Sequence, residues 1–165
     1  MTREQYRKWY FRKLRSYEKT SRSIVKKHLK NTMIDFAKRN PTFDNMESLL
    51  KKSVSKKAIF NMLLEIHTTI GGTHGSEVLK GIEENKLTVK RWSSLWVERF
   101  ARDIFEFLTN TAGGRIESIR ETLIRTVLDV IRDLGNEGEG VQVITNDLVN
   151  KFGTKEGVYR YQMER

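Results

Sequence analysis

Residues 3–38, REQYRKWYFRKLRSYEKTSRSIVKKHLKNTMIDFAK, contain neither glycine nor proline, and Asn40-Pro41 follows them. Proline disfavours helix in the residue before it, so the stretch reads as one long helix with a firm stop. Apolar and aromatic residues recur at Tyr6, Tyr10, Leu14, Tyr17, Ile24, His28 and Phe36, joined by Trp9, Val25, Leu29 and Met33. That is helical spacing, with a weak point at Ser21. Lys8, Arg12, Arg15, Lys19, Arg22, Lys26 and Lys30 repeat with the same spacing, two positions out of phase. Two positions are about 200° on a helix, so a basic stripe lies almost opposite the apolar one. At about 1.5 Å per residue the helix reaches roughly 50 Å, and part of it is expected to project or to pack on another subunit.

Within this helix, Tyr6 to Tyr17 interleaves aromatic and basic residues. The mixture suits stacking on bases and neutralising phosphates. It also describes a buried face rimmed by the stems of Lys and Arg. The segregation of the two classes favours aromatics inward and charge outward, leaving the seven cations of the stripe as the residues that would touch a polyanion through backbone contacts without sequence readout.

The distribution of charge supports that reading. Residues 1–60 hold 17 Lys or Arg against 5 Asp or Glu, a net +12; the remainder holds 14 against 16, a net −2, and the two add to the chain's +10. A basic first third followed by an ordinary domain points to a nucleic acid or an acidic protein surface as partner. With 165 residues, the chain is long enough for one core. The absence of cysteine excludes disulfides, thiolate catalysis and thiolate metal sites. No apolar run is long enough to span a bilayer, and the first thirty residues lack the apolar core of a signal peptide, so no membrane contact and an intracellular start are expected.

Downstream, helical periodicity dominates and the fold class is all-α: a long basic N-terminal helix, residues 1–40, and a helical domain, residues 41–165. A short helix carries Met46, Leu49 and Leu50, and Ser53 or Ser55 caps a helix from about Val54 to Thr69. Gly71-Gly72-Thr73-His74-Gly75, with three glycines in five residues, reads as a turn before a short helix from Ser76 to Glu84. Thr88 to Thr109 presents Trp92, Leu95, Trp96, Phe100, Ile104, Phe107 and Leu108 on one wide face, the expected centre of the core. After Gly113-Gly114, Arg115 to Leu134 resumes with Ile116, Ile119, Leu123, Val127, Val130, Ile131 and Leu134, so the pair forms a central helical hairpin. Gly135 closes its second arm, a Gly- and acid-rich connection to Gly140 follows, then a helix from Val141 to Phe152 and a restart from Thr154 to Arg165.

No motif here carries catalysis. The glycine stretch before Ser76 lacks the Lys-Ser/Thr pair and preceding strand of a phosphate loop. His67 and His74 are not spaced with another histidine as metal ligands. Glu83, Glu84, Asp103, Glu106, Asp129 and Asp133 stand beside Arg99, Arg102, Arg125 and Arg132, as solvated ion pairs do. The expectation is a non-enzyme with no cofactor and no metal.

The last third resembles the Mu-type family of tailed-bacteriophage head morphogenesis, or minor head, proteins. The resemblance rests on the helix from Arg115 to Leu134, the acidic turn, Gln142-Val143-Ile144, Leu148-Val149-Asn150-Lys151-Phe152-Gly153 and the restarted Tyr159-Arg160-Tyr161-Gln162-Met163-Glu164-Arg165. The chain stops just before the position of that family's Arg-Thr-Glu signature, as the N-terminal part of a larger protein or a short member would. The resemblance implies a portal-associated virion component acting in head assembly and in DNA packaging or ejection. Its partners would be portal or capsid protein and DNA, its location the host cytoplasm and then the virion head. Two other readings fit the residues: a cellular helical nucleic-acid-binding protein, and a scaffolding module that forms homo-oligomers through Tyr10, Leu14, Tyr17 and Ile24 of the long first helix.

Overall fold

A computed structural model describes residues 2–83 and 90–153, with the side chains of Tyr6 and of residues 78–83, 90–95 and 153 left aside. Among the described residues the chain is all-α, with six helices: α1 (Arg3–Lys38), α2 (Met46–Ser53), α3 (Lys56–Glu83), α4 (Lys90–Asn110), α5 (Gly113–Asn136) and α6 (Val141–Gly153). The expected restart at Thr154 to Arg165, and with it the final segment of the resemblance, lies outside the described residues, as do Thr88 and Glu84. So do the side chains of Trp92 and Leu95.

The first helix has the bounds its sequence predicts. It ends in a tightened turn, with Arg39 N–H donating to Phe36 O at 3.1 Å and Asn40 N–H to Ala37 O at 3.3 Å. Asn40 then takes a φ of +50°, a left-handed conformation that asparagine tolerates better than most residues. Of the next two helices, α3 starts on a side-chain cap, whereas α2 starts at Asn45 without one. Asn45 Oδ1 accepts from Thr42 N–H at 2.7 Å ahead of α2, and Ser55 Oγ accepts from Ala58 N–H at 3.1 Å at the start of α3. The exit of α5 differs from expectation. The helix runs through Gly135 to Asn136, and Gly138, at φ +84°, is the residue that reverses the chain. Glu139 N–H bonds to Leu134 O and Gly138 N–H to Gly135 O, both at 3.1 Å. This is a Schellman closure, which needs a residue free to adopt positive φ.

The predicted turn at Gly71–Gly75 is absent: α3 continues through it to Glu83, and the expected short helix from Ser76 is the final part of α3. The reason is tertiary. A methyl on Gly71 would run into the ring of Phe100, and one on Gly75 into the ring of Trp96. Gly71 and Gly75 are one helical turn apart, as are Trp96 and Phe100, whose rings stack at 5.1 Å and 11°. The glycines therefore form a groove on α3 into which two aromatic rings of α4 settle. Each glycine costs about 1 kcal/mol of helix propensity relative to alanine, and ring burial against bare backbone offsets it.

The chain divides into two units, each discontinuous in sequence: residues 1–24 with 63–112, and residues 25–62 with 113–165. The division does not fall at residue 40, because α1 and α3 each contribute one part to each unit. The helices expected as arms of one hairpin, α4 and α5, belong to different units. Among the described residues, the centre of the core also lies elsewhere than expected. In the second unit Met33, Phe36, Leu50, Val54, Val127, Ile144 and Leu148 are fully buried. In the first, Trp96, Phe100 and Ile104 are only half-buried, Phe107 is 44% exposed, and Leu108 is buried.

Arg120 of α5 binds the second unit together in a way its sequence position did not signal. Its Nε donates to Val54 O at 2.7 Å and its Nη2 to Lys51 O at 3.1 Å, satisfying carbonyls left over at the C-terminal end of α2. Its Nη1 donates to Glu117 at 2.9 Å, and Lys56 approaches the other Glu117 oxygen at 2.9 Å. Lys56 first, then Arg120, hold the Glu117 carboxyl below the usual range.

Candidate nucleic-acid interface

The seven cations read from the sequence all lie on α1. Lys8, Arg12, Arg15, Lys19 and Arg22 fall in its first-unit segment, and Lys26 and Lys30 in its second-unit segment. All are exposed except Lys26, which is half-buried. Two have carboxylate partners one turn away: Lys8 pairs with Glu4 at 2.8 Å, and Arg22 with Glu18. Such exposed i, i+4 pairs are worth only about 0.3–0.5 kcal/mol and yield readily to a competing anion. Arg12, Arg15, Lys19, Lys26 and Lys30 have no carboxylate partner among the described residues.

The stripe's orientation in the first unit is set from the other side of the helix. Lys13 Nζ donates to Glu77 Oε1 on α3, and Tyr17 Oη donates to Glu77 Oε2 at 3.1 Å while lying 3.2 Å from His74 Nδ1. The Tyr17 and His74 rings meet edge to face at 5.8 Å. Lys13 is the chief cause that draws the Glu77 carboxyl below its ordinary range. Burial, and then Glu77 itself, push the Tyr17 hydroxyl above its own. A carboxylate shared by an ammonium and a phenol is a charge-assisted junction, and it fastens α1 to α3 through the helix face that excludes the basic stripe. His74 is therefore tied to α1, and among the described residues no cluster of three or more His, Asp or Glu is arranged to hold a metal ion.

The expectation that the aromatics of Tyr6 to Tyr17 turn inward holds only in part. Tyr17 is half-buried, but Tyr10 is 43% exposed, Leu14 41% and Phe11 54%. Phe11 escaped the sequence reading because it falls outside the apolar spacing. It belongs instead to the basic side, with Arg7, Lys8 and Arg15 at i−4, i−3 and i+4, positions that neighbour it on a helix. That displacement from the apolar register was the signal available in the sequence.

A second basic surface lies in the other unit. Lys51, Arg120, Glu121, Ile124, Arg125, Leu128, Asp129 and Arg132 line a shallow open groove of about 310 Å³. Its charges are largely committed. Lys51 pairs with Glu47, Arg132 with Asp129 at 3.3 Å, and Arg120 with Glu117.

No protein-family model, no curated protein and no solved structure matches the chain. No helix of the described residues is long and apolar enough to cross a membrane.

Proposed function

We propose that this chain is a non-enzymatic nucleic-acid-binding protein of a tailed-phage head, which contacts DNA through the basic face of α1 and portal or capsid protein through its remaining helices. The observation that carries the nucleic-acid part is the set of exposed cations at Arg12, Arg15 and Lys19, without a carboxylate partner among the described residues and sorted onto one face of the first-unit segment of α1. Lysine and arginine repeating at every helical turn match the continuous charge of a nucleic-acid backbone better than the sparse charge of most protein surfaces, and they release condensed counterions on binding. The phage-head setting is supported by the resemblance of residues 115–165 alone.

The test is fluorescence anisotropy of the whole chain with a labelled duplex at several salt concentrations. Engagement of about six cations gives a slope of log affinity against log salt near −5, with little dependence on sequence. The triple variant Arg12→Glu, Arg15→Glu, Lys19→Glu should then lose most of its affinity. Absence of binding, or binding indifferent to salt, removes the nucleic-acid reading, and strong discrimination between sequences favours a cellular regulator. Capture of portal or capsid protein by the whole chain tests the setting independently.

A further inference from the structure

We infer that the basic face of α1 takes single-stranded in preference to duplex nucleic acid, with the exposed ring of Phe11 as the stacking platform for an unpaired base. The inference rests on the polyanion-binding reading above and narrows its ligand.

Phe11 presents more than half of its surface to solvent, at 54%, on the part of α1 that belongs to the first unit. It stands about 200° around the helix from Lys13 and about 240° from Tyr17, the two residues that fasten α1 to α3. The ring therefore points away from the packed face and makes no contribution to it. Its helical neighbours are cations. Arg7 and Arg15 sit one turn before and after it, exposed and without a carboxylate partner among the described residues. They bracket the ring about 12 Å apart along the axis, which leaves room for a base between two neutralised phosphates. The ring of Tyr10 meets Phe11 edge-on at 6.0 Å and 65°, which limits the directions the Phe11 ring can take.

The chemistry selects among polyanions. A duplex presents phosphates while its base faces are hidden in the stack, so it satisfies the arginines and leaves the ring in water. A single strand presents both, and stacking on an aromatic residue tolerates any base because every base has a π-face. A second copy of α1 offers a ring but brings the same charge: residues 3–24 hold 8 Lys or Arg against 2 Glu.

The experiment compares the whole chain bound to a labelled single strand of about sixteen nucleotides with its binding to a duplex of the same length at the same salt. The single strand should bind more tightly. Phe11→Ala should weaken it about tenfold and change duplex affinity by less than about twofold, whereas Phe11→Trp should retain it. Phe43→Ala removes a 60% exposed ring from the turn between α1 and α2 and should change neither affinity. If Phe11→Ala leaves single-strand binding unchanged, or weakens both ligands alike, the inference falls while the polyanion reading stands. If neither ligand binds, both fall. A chain that is dimeric and becomes monomeric on Phe11→Ala, or whose Phe11 is protected by an acidic protein and not by a single strand, also overturns it.

Discussion

Among the described residues, the two units bury their apolar side chains very differently. In the second, segments of five helices contribute residues at or near zero exposure, among them Phe36, Leu50, Val127, Ile144 and Leu148, and Arg120 satisfies carbonyls at the end of α2. In the first, the rings of Trp96 and Phe100 rest on a glycine groove, while Tyr10, Phe11, Leu14, Phe105 and Phe107 all remain at least 40% exposed. The second unit has the anatomy of a hydrophobic core, the first that of a surface held in place. Monomeric proteins limit large exposed apolar groups unless these meet a partner, so the contrast teaches where binding is to be sought.

The comparison breaks most readily through single truncations. Phe36→Ala in the second unit should cost about 3–5 kcal/mol, the range for fully buried aromatic side chains, whereas Phe107→Ala in the first should cost under about 1 kcal/mol. Chemical denaturation followed by circular dichroism measures both, and equal losses would end the distinction. The glycine groove sharpens it at a smaller scale. A methyl on Gly72 would meet nothing within 4 Å, unlike one on Gly71 or Gly75. Gly72→Ala should therefore raise stability by about 0.5–1 kcal/mol, and Gly75→Ala should lower it although the same propensity gain applies. If both substitutions stabilise, the rings of α4 do not rest on α3.

The smallest effect concerns acid. Glu117 in the second unit and Glu77 in the first both titrate below the usual carboxylate range, each held down chiefly by a lysine. A carboxyl whose folded pKa is depressed stabilises the fold above its unfolded pKa, and that contribution disappears as pH falls through the folded value. Thermal melting should therefore weaken between about pH 5 and pH 3, and Glu117→Gln should flatten part of that loss. An unchanged acid profile in Glu117→Gln would show that its ion pairs with Lys56 and Arg120 contribute nothing to the second unit.

Much of the local structure was legible because it depends on local chemistry. The bounds of α1 follow from a glycine- and proline-free run stopped by Asn40-Pro41, and Ser55 caps α3 as a serine before a helix does. The glycine stretch misled for the opposite reason: backbone freedom argues for a turn, while Phe100 and Trp96, more than twenty residues away, need bare backbone to approach. Arg120 was silent for the same reason, since a helix-surface arginine looks alike whether it faces water or the carbonyls of Lys51 and Val54. Of the candidate interface, the seven cations and their common face were readable from spacing alone. The position of Phe11 on the basic side was readable from the same spacing, but its exposure was not, because burial depends on what packs against that side.

Residue order alone shows that this protein is helical, where α1 begins and ends, and that α1 carries a basic stripe along one side. These follow from propensity, capping and the period of the helix, which act over a few residues. Which helix faces find cover is a matter of how the chain packs. Burial depends on residues brought together from distant parts of the chain, and that is why the aromatic face of α4 proved peripheral, the glycines became a seat for its rings, and Phe11 was left exposed among the cations of α1.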